Sequence, residues 1–143
     1  MRLSQLRYVL ILLMLCLLPA TAQSLPEVSL QIGMHVIRAE VAATPESRAH
    51  GLMQRQQLDK NQGMLFVFDQ ADIHAMWMKN TPLPLSVAFI DKNGIILNIA
   101  EMKPFTQTTH PASAPAIYAL EMNSGWFVER GIKAGSKIKG LPH

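Results

Sequence analysis

The sequence predicts a mainly β protein, a β-rich α+β fold closed into a single compact antiparallel barrel-like domain with two short helices. Three observations carry that expectation. Strand-length runs recur along the chain, some alternating apolar and polar residues and others apolar throughout, the pattern of strands buried on one face or on both. Turn signals separate these runs at short intervals. No long helical periodicity lies between them, which disfavours a parallel doubly wound sheet. Closure into a barrel buries the central strands and removes exposed edges; a two-layer α+β sheet is the alternative.

The chain begins with a segment of a different kind. Arg2 and Arg7 precede an unbroken apolar run from Tyr8 to Leu18, which ends at Pro19 and is followed by Ala20-Thr21-Ala22. A basic start, a short apolar stretch and a small-x-small site are the parts of a secretory signal peptide, in order. The run is too short to span a bilayer, which takes about 20 residues. Residues 1–22 are therefore expected to be cleaved, leaving 23–143 as the folded domain, exported and periplasmic; an uncleaved N-terminal anchor is the alternative. The only cysteine, Cys16, lies inside this segment, and Leu15 before it does not fit a lipoprotein site. The mature chain then has no thiol, which excludes disulfides, thiol catalysis and cysteine metal sites. Residues 1–22 hold two of the 13 basic residues and none of the ten acidic ones, so the mature chain is nearly neutral. It carries no electrostatic footprint for nucleic acid or anionic lipid, and no membrane span follows the signal.

Taken in order, Val28 to Ile32 and Ile37 to Val41 alternate apolar with polar residues around a turn at Gly33, a hairpin with one wet face. Thr44-Pro45-Glu46 opens a helix with a hydroxyl N-cap, proline at its first position and an acid in its first turn. It runs to about Met53, with Gly51 a candidate terminator. Residues 54–63 are polar loop. Met64 to Phe68 and Ile73 to Met78 read as strands. Lys79 to Pro84 is irregular, because its two prolines lack amide donors and restrict their predecessors. Leu85 to Ile90 and Ile95 to Met102 flank an Asp91-Lys92-Asn93-Gly94 hairpin turn. Residues 103–115, with three prolines, form a long loop; Ile117 to Met122 is a strand. Ser124 caps a second short helix over Trp126 to Arg130, stopped by Gly131. Ser136 to Lys139 is a last edge strand.

Glycine-rich phosphate loops, nucleophile elbows, His-Glu-x-x-His and EF-hand patterns are absent from the sequence. The least ordinary stretch is Trp77 to Leu85. A strand there runs into a rigid double-proline loop that carries a stacking face (Trp77), a cation (Lys79), an amide (Asn80) and a hydroxyl (Thr81). Together they are a candidate site for a small polar or anionic ligand. The plainer alternative is that Asn80 and Thr81 brace the turn through local backbone bonds and Trp77 is core. Arg48 and Arg55, seven apart, are a candidate guanidinium clamp for a carboxylate or phosphate, or else one of them pairs with a carboxylate of the fold such as Glu121 or Asp91. Glu121 lies in an otherwise apolar strand and must face solvent or find a partner, since burying it alone costs several kcal/mol; a structural ion pair is expected. His74, Met76 and Met78 share one face at strand period, and imidazole with thioethers suits Cu(I). Methionines filling an irregular core are the expected reading instead.

Three blocks resemble DUF family 192, also called uncharacterised protein family 0127. They are RAHGLMQR from Arg48 to Arg55 with GMLFVF from Gly63 to Phe68; MWMKNTPLPL from Met76 to Leu85 with Phe89-Ile90-Asp91; and YALE from Tyr118 to Glu121. The resemblance covers roughly residues 28–140, and the Trp-Met-Lys-Asn-Thr block is its most specific part. It implies a compact β-rich barrel-like domain, usually exported or membrane-associated in bacteria, and no established activity. The chain departs from the family at Met76, where an aromatic is common, and at Gly135-Ser136, where Gly-Asp is common.

The function expected from these readings is a non-catalytic binding or accessory module for a small polar or anionic ligand or a protein partner, with Arg48, Arg55, Trp77, Lys79, Asn80, Thr81 and Glu121 as candidate ligand-binding residues and no cofactor or metal. The alternatives are a small periplasmic hydrolase or lyase using Glu121, Lys79 and an arginine, and a Cu(I)-binding protein through His74, Met76 and Met78. Convergence of the candidate residues on one concave pocket is the observation that bears most on the choice.

Overall fold

The computed structural model describes residues 24–143, and the expected signal peptide lies outside them. Nine strands run in chain order through the described residues: β1 (Glu27–Ile32), β2 (His35–Ala42), β3 (Gln62–Asp72), β4 (Ala75–Met76), β5 (Leu85–Ile90), β6 (Ile96–Met102), β7 (His110–Pro111), β8 (Ala116–Asn123) and β9 (Ile138–Lys139). Among the described residues one helix, α1 (Pro45–His50), follows β2, and one 3-10 turn covers Val128–Arg130. Seven strands form one curled sheet in the order β6-β5-β8-β3-β2-β1-β9, and β4 pairs with β7 apart from it.

The sheet curls until its two edges meet at one end. The Ile96 amide donates to Ser136 O at 2.9 Å, the Gly135 amide to Ile96 O at 2.8 Å and the Ile138 amide to Gly94 O at 2.8 Å. The β-rich, barrel-like expectation therefore holds, with two corrections. The sheet is not wholly antiparallel, since β2 and β3 pair in parallel from Arg38–Gln62 to Ala42–Phe66. The connection over residues 43–61, which carries α1, is long enough for such a crossover, which needs a dozen or more residues. The second helix shrinks to the 3-10 turn: Ser124 does not cap it but donates its hydroxyl to Glu101 Oε2 at 2.7 Å, while Gly131 ends the turn in the left-handed conformation at φ 65°.

The strand expected over Ile73 to Met78 is also reduced, to Ala75–Met76, and its partner β7 lies inside the proline-rich loop. With only two paired residues, the period-two alignment of His74, Met76 and Met78 is lost. Conversely, β3 runs longer than its apolar core, out to Asp72, with a register shift between Val67 and Asp72.

Two apolar clusters cover the two faces of the central strands. Leu65, Ala88, Ile90, Leu120 and Met122 point into the curl, where Leu30, Ile37, Trp126 and Phe127 complete the packing. Met64, Phe66, Val87, Phe89 and Ala119 point outward and are roofed by Leu52, Met78, Leu83 and Ala112 from the α1 and loop segments. Burial on both faces is why β5 is apolar along its length apart from Ser86. In β8 the alternation puts Glu121, between Leu120 and Met122, on the roofed outer face. Its backbone neighbours there are Met64 in β3 and Val87 in β5.

Candidate functional site

The roof over Glu121 is built from two segments. The first is α1 and the turn after it. Thr44 caps the helix through its hydroxyl, which accepts from the Ser47 amide at 3.1 Å, while Ser47 Oγ accepts from the Thr44 amide at 3.0 Å. Gly51 stops the helix at φ 50° and ψ −132°, a conformation reserved for glycine, and a Cβ there would stand 3.2 Å from the Phe66 ring. The chain can then drop Leu52 into the core. The second segment is the loop from Trp77 to Thr81. Thr81 is buried and donates its hydroxyl to Lys79 O at 3.0 Å, and Asn80 sits in the left-handed region at φ 53°. The Gln54 amide donates to Asn80 O at 2.8 Å and ties the two segments together.

Between them lies a pocket of about 30 Å³ whose wall includes Arg48, Phe66, Trp77, Lys79, Thr81 and Glu121. Three buried polar side chains occur among the described residues: Thr81, Ser86 and Glu121. Thr81 is bonded as above, and the Ser86 hydroxyl donates to Glu101 Oε1 at 2.6 Å. The Glu121 carboxyl, in a residue only 3% exposed, receives no hydrogen bond or ion pair among the described residues. Burial alone pushes its pKa from the ordinary 4.5 up to about 8, so the carboxyl is protonated at neutral pH. The structural ion pair expected for Glu121 is thus replaced by a neutral acid facing a small cavity.

The cations divide. Lys79 Nζ lies 5.4 Å from the centroid of the exposed Trp77 ring, within cation–π range, and no carboxylate pairs with it among the described residues. Arg48 is engaged in the fold: one guanidinium nitrogen donates to Ala43 O at 2.7 Å and Val67 O at 3.0 Å, and the other to Asp69 Oδ2 at 3.1 Å. It therefore fastens α1 to β3 at the pocket edge. Arg55 turns away from the pocket into a two-pronged pair with Glu40, at 2.8 and 2.7 Å, whose hydrogen bonds raise the guanidinium pKa still further. The two arginines do not form a clamp, because the helix ends at Gly51 before they can share a face. Asp91, the other carboxylate considered as a partner, instead accepts from the Asn93 and Ile95 amides of its own turn at 2.8 and 2.9 Å.

Of the candidate residues, Arg48, Trp77, Lys79, Thr81 and Glu121 line one pocket, while Arg55 and Asn80 do not. The Asn80 side chain is exposed and makes no hydrogen bond among the described residues, so its contribution is its backbone conformation. Trp77 is partly exposed rather than core. His50, Gly51 and Phe66, none of them a candidate site residue from the sequence, also line the pocket. Phe66 reads as an ordinary core residue of an apolar strand, and only the position of Gly51 as a helix terminator hinted that the chain opens there. His74 donates from Nε2 to Gln70 O (2.8 Å) and stacks on Phe68 at 3.7 Å, whereas Met78 is fully buried, so the three copper candidates do not share an exposed face. Among the described residues no three His, Cys, Asp or Glu side chains group as a metal site. Larger, open grooves of about 580 Å³ beside Met34 and Lys137 and about 510 Å³ between Glu27, Glu40 and Arg55 contain none of the three buried polar side chains. No helix among the described residues is long and apolar enough to cross a membrane.

Comparison with known proteins places these features in a wider group. The model of a family called DUF192, described as "Uncharacterized ACR", matches residues 28–140. No curated protein matches the chain. Solved structures that share the fold include two relatives of this chain. One is a Sinorhizobium meliloti 1021 protein described as a candidate transcription regulator, 32% identical over 82% of this chain and 96% of that one, with a TM-score of 0.80. The other is a protein of unknown function from Novosphingobium aromaticivorans DSM 12444, 33% identical over 87% of this chain and 91% of that one, with a TM-score of 0.76.

Proposed function

The chain belongs to the DUF192 family, and from that premise we propose that it is a non-catalytic binding module whose pocket over Glu121 receives the polar or anionic tip of a small ligand. The observation that carries this reading is the buried Glu121 carboxyl, without a partner among the described residues, beside Trp77 and Lys79. Glu121 lines the cavity and receives no hydrogen bond from the fold among the described residues, so a group that enters the cavity can take that bond. A protonated carboxyl supplies a donor, Lys79 supplies a cation and Trp77 supplies an apolar face for the rest of the ligand. We further propose that the module works in the periplasm after loss of residues 1–22; mass spectrometry of the mature chain tests this, and an intact Met1 in the membrane fraction refutes it.

The binding reading is tested by titrating the 15N-labelled chain with mixtures of small acids, alcohols and phosphates. Saturable shifts confined to residues 48–53, 66, 76–81 and 121 are expected. Shifts elsewhere, or none, refute it. A carboxyl with a pKa near neutrality is also suited to general-acid work, and the hydrolase or lyase alternative would use Glu121 with Lys79 and Arg48. The fate of the bound compound separates the two: recovery unchanged supports binding, and appearance of a product supports catalysis.

A further inference from the structure

We infer that the pocket over Glu121 is selective for a carboxylate, taking one oxygen of a small monocarboxylic acid anion that accepts a hydrogen bond from the Glu121 carboxyl and faces the ammonium of Lys79. This rests on the binding reading above and adds the chemical class.

Size is the first restriction. A space of about 30 Å³ holds one water-sized group. A carboxylate leads with one oxygen and brings a single negative charge to the one unpaired ammonium, whereas a phosphate that leads with one oxygen leaves three more oxygens to be solvated at the mouth. Charge is the second. The charged or titratable side chains that line the cavity with Glu121 are Arg48 and His50 from the α1 segment and Lys79 from the loop; its sheet neighbours Met64 and Val87 are apolar. Arg48 is balanced by Asp69, but Lys79 has no acidic partner among the described residues. A cationic ligand would therefore meet like charge at the rim, and an anion meets a free ammonium. Hydrogen-bonding capacity is the third. A neutral acid offers one O–H donor, and an acid donating to a carboxylate forms one of the shorter and stronger hydrogen bonds. Outside that space, the partly exposed Met76 and the exposed Trp77 at the rim offer an apolar edge to a short hydrocarbon tail.

The inference has a pH signature of definite sign. The donor is present only while Glu121 is protonated, so affinity for an anion is flat below the carboxyl's pKa and falls tenfold per pH unit above about 8. A cation would bind the ionised form and show the opposite slope.

The test is titration of the full mature chain with sodium propionate, methylammonium chloride and inorganic phosphate, followed by 15N shifts of the pocket amides and the Trp77 indole. Propionate is expected to bind, with the loss above about pH 8. Glu121→Gln, which keeps a neutral donor, should retain binding and lose the pH dependence; Glu121→Leu, which keeps the volume, should abolish binding while the spectrum stays folded. His50→Gln removes that imidazole as a source of the profile and should leave the slope in place. Methylammonium or phosphate binding at these residues in preference to propionate overturns the carboxylate assignment and leaves the binding module standing. Failure of all three probes to perturb the pocket overturns both.

Discussion

Replacing Glu121 by Gln tests the central electrostatic feature of the site. The carboxyl ionises at 4.5 when exposed and at about 8 in the fold, because burial penalises the charged form. Between these values the folded chain holds a proton that the unfolded chain has released, so stability falls as pH rises. Below about 4.5 both states are protonated and the effect is absent; above about 8 both are ionised and the loss is complete. At 1.36 kcal/mol per pH unit, the loss from this group reaches about 3 kcal/mol at pH 7 and about 5 kcal/mol at the upper plateau. Gln has nearly the same shape, donates from its amide and does not titrate. The stability difference between the Gln variant and the wild type should therefore grow in favour of Gln by about 3 kcal/mol from about pH 4.5 to pH 7. Urea denaturation at several pH values measures it, and taking the difference between the two proteins cancels the other titrating groups. A difference that does not change with pH would mean that the carboxyl is not desolvated as described. A difference of opposite sign would mean that it is ionised and paired in solution.

Three further outcomes are expected. Asn80→Gly should leave stability within about 0.5 kcal/mol and Asn80→Ala should cost about 1 kcal/mol, because the position needs a left-handed backbone and not the carboxamide; equal losses in thermal denaturation for both would restore a bonding role to the side chain. Arg48→Lys should cost about 2 kcal/mol, since one ammonium cannot replace three separate bonds to Ala43, Val67 and Asp69; an unchanged denaturation midpoint would remove Arg48 from the frame. Cu(I) titration against a competing chelator should show no site tighter than micromolar, and a stoichiometric tighter complex lost in the double variant Met76→Leu, Met78→Leu would contradict the packing of His74 on Phe68 and the burial of Met78.

Much of the fold is legible along the chain because its signals are local. The hairpin around Gly33, the Asp91–Gly94 turn and the Thr44 cap each depend on residues within a few positions of one another, and each forms as expected. Signals fail where a distant partner decides. Ile73 to Met78 has the composition of a strand, yet only two of its residues find a partner, in a loop that reads as irregular. The parallel pairing of β2 with β3 is equally silent in the sequence, since either direction satisfies the same apolar pattern.

The candidate site divides along the same line. The sequence alone determined which side chains were unusual: an acid inside an apolar strand, a lysine and a tryptophan at a double-proline loop, and arginines in the RAHGLMQR block. It did so because burial patterns and backbone restrictions are written in residue types and spacings. Only the tertiary structure decided their partners. Arg55 is taken by Glu40 and Arg48 by Ala43, Val67 and Asp69, whereas Glu121 is enclosed without a hydrogen-bond or ion-pair partner among the described residues. The physical reason is that solvation and ion pairing depend on distances of a few ångströms between groups tens of residues apart, and the curl of the sheet and the roof laid over it set those distances.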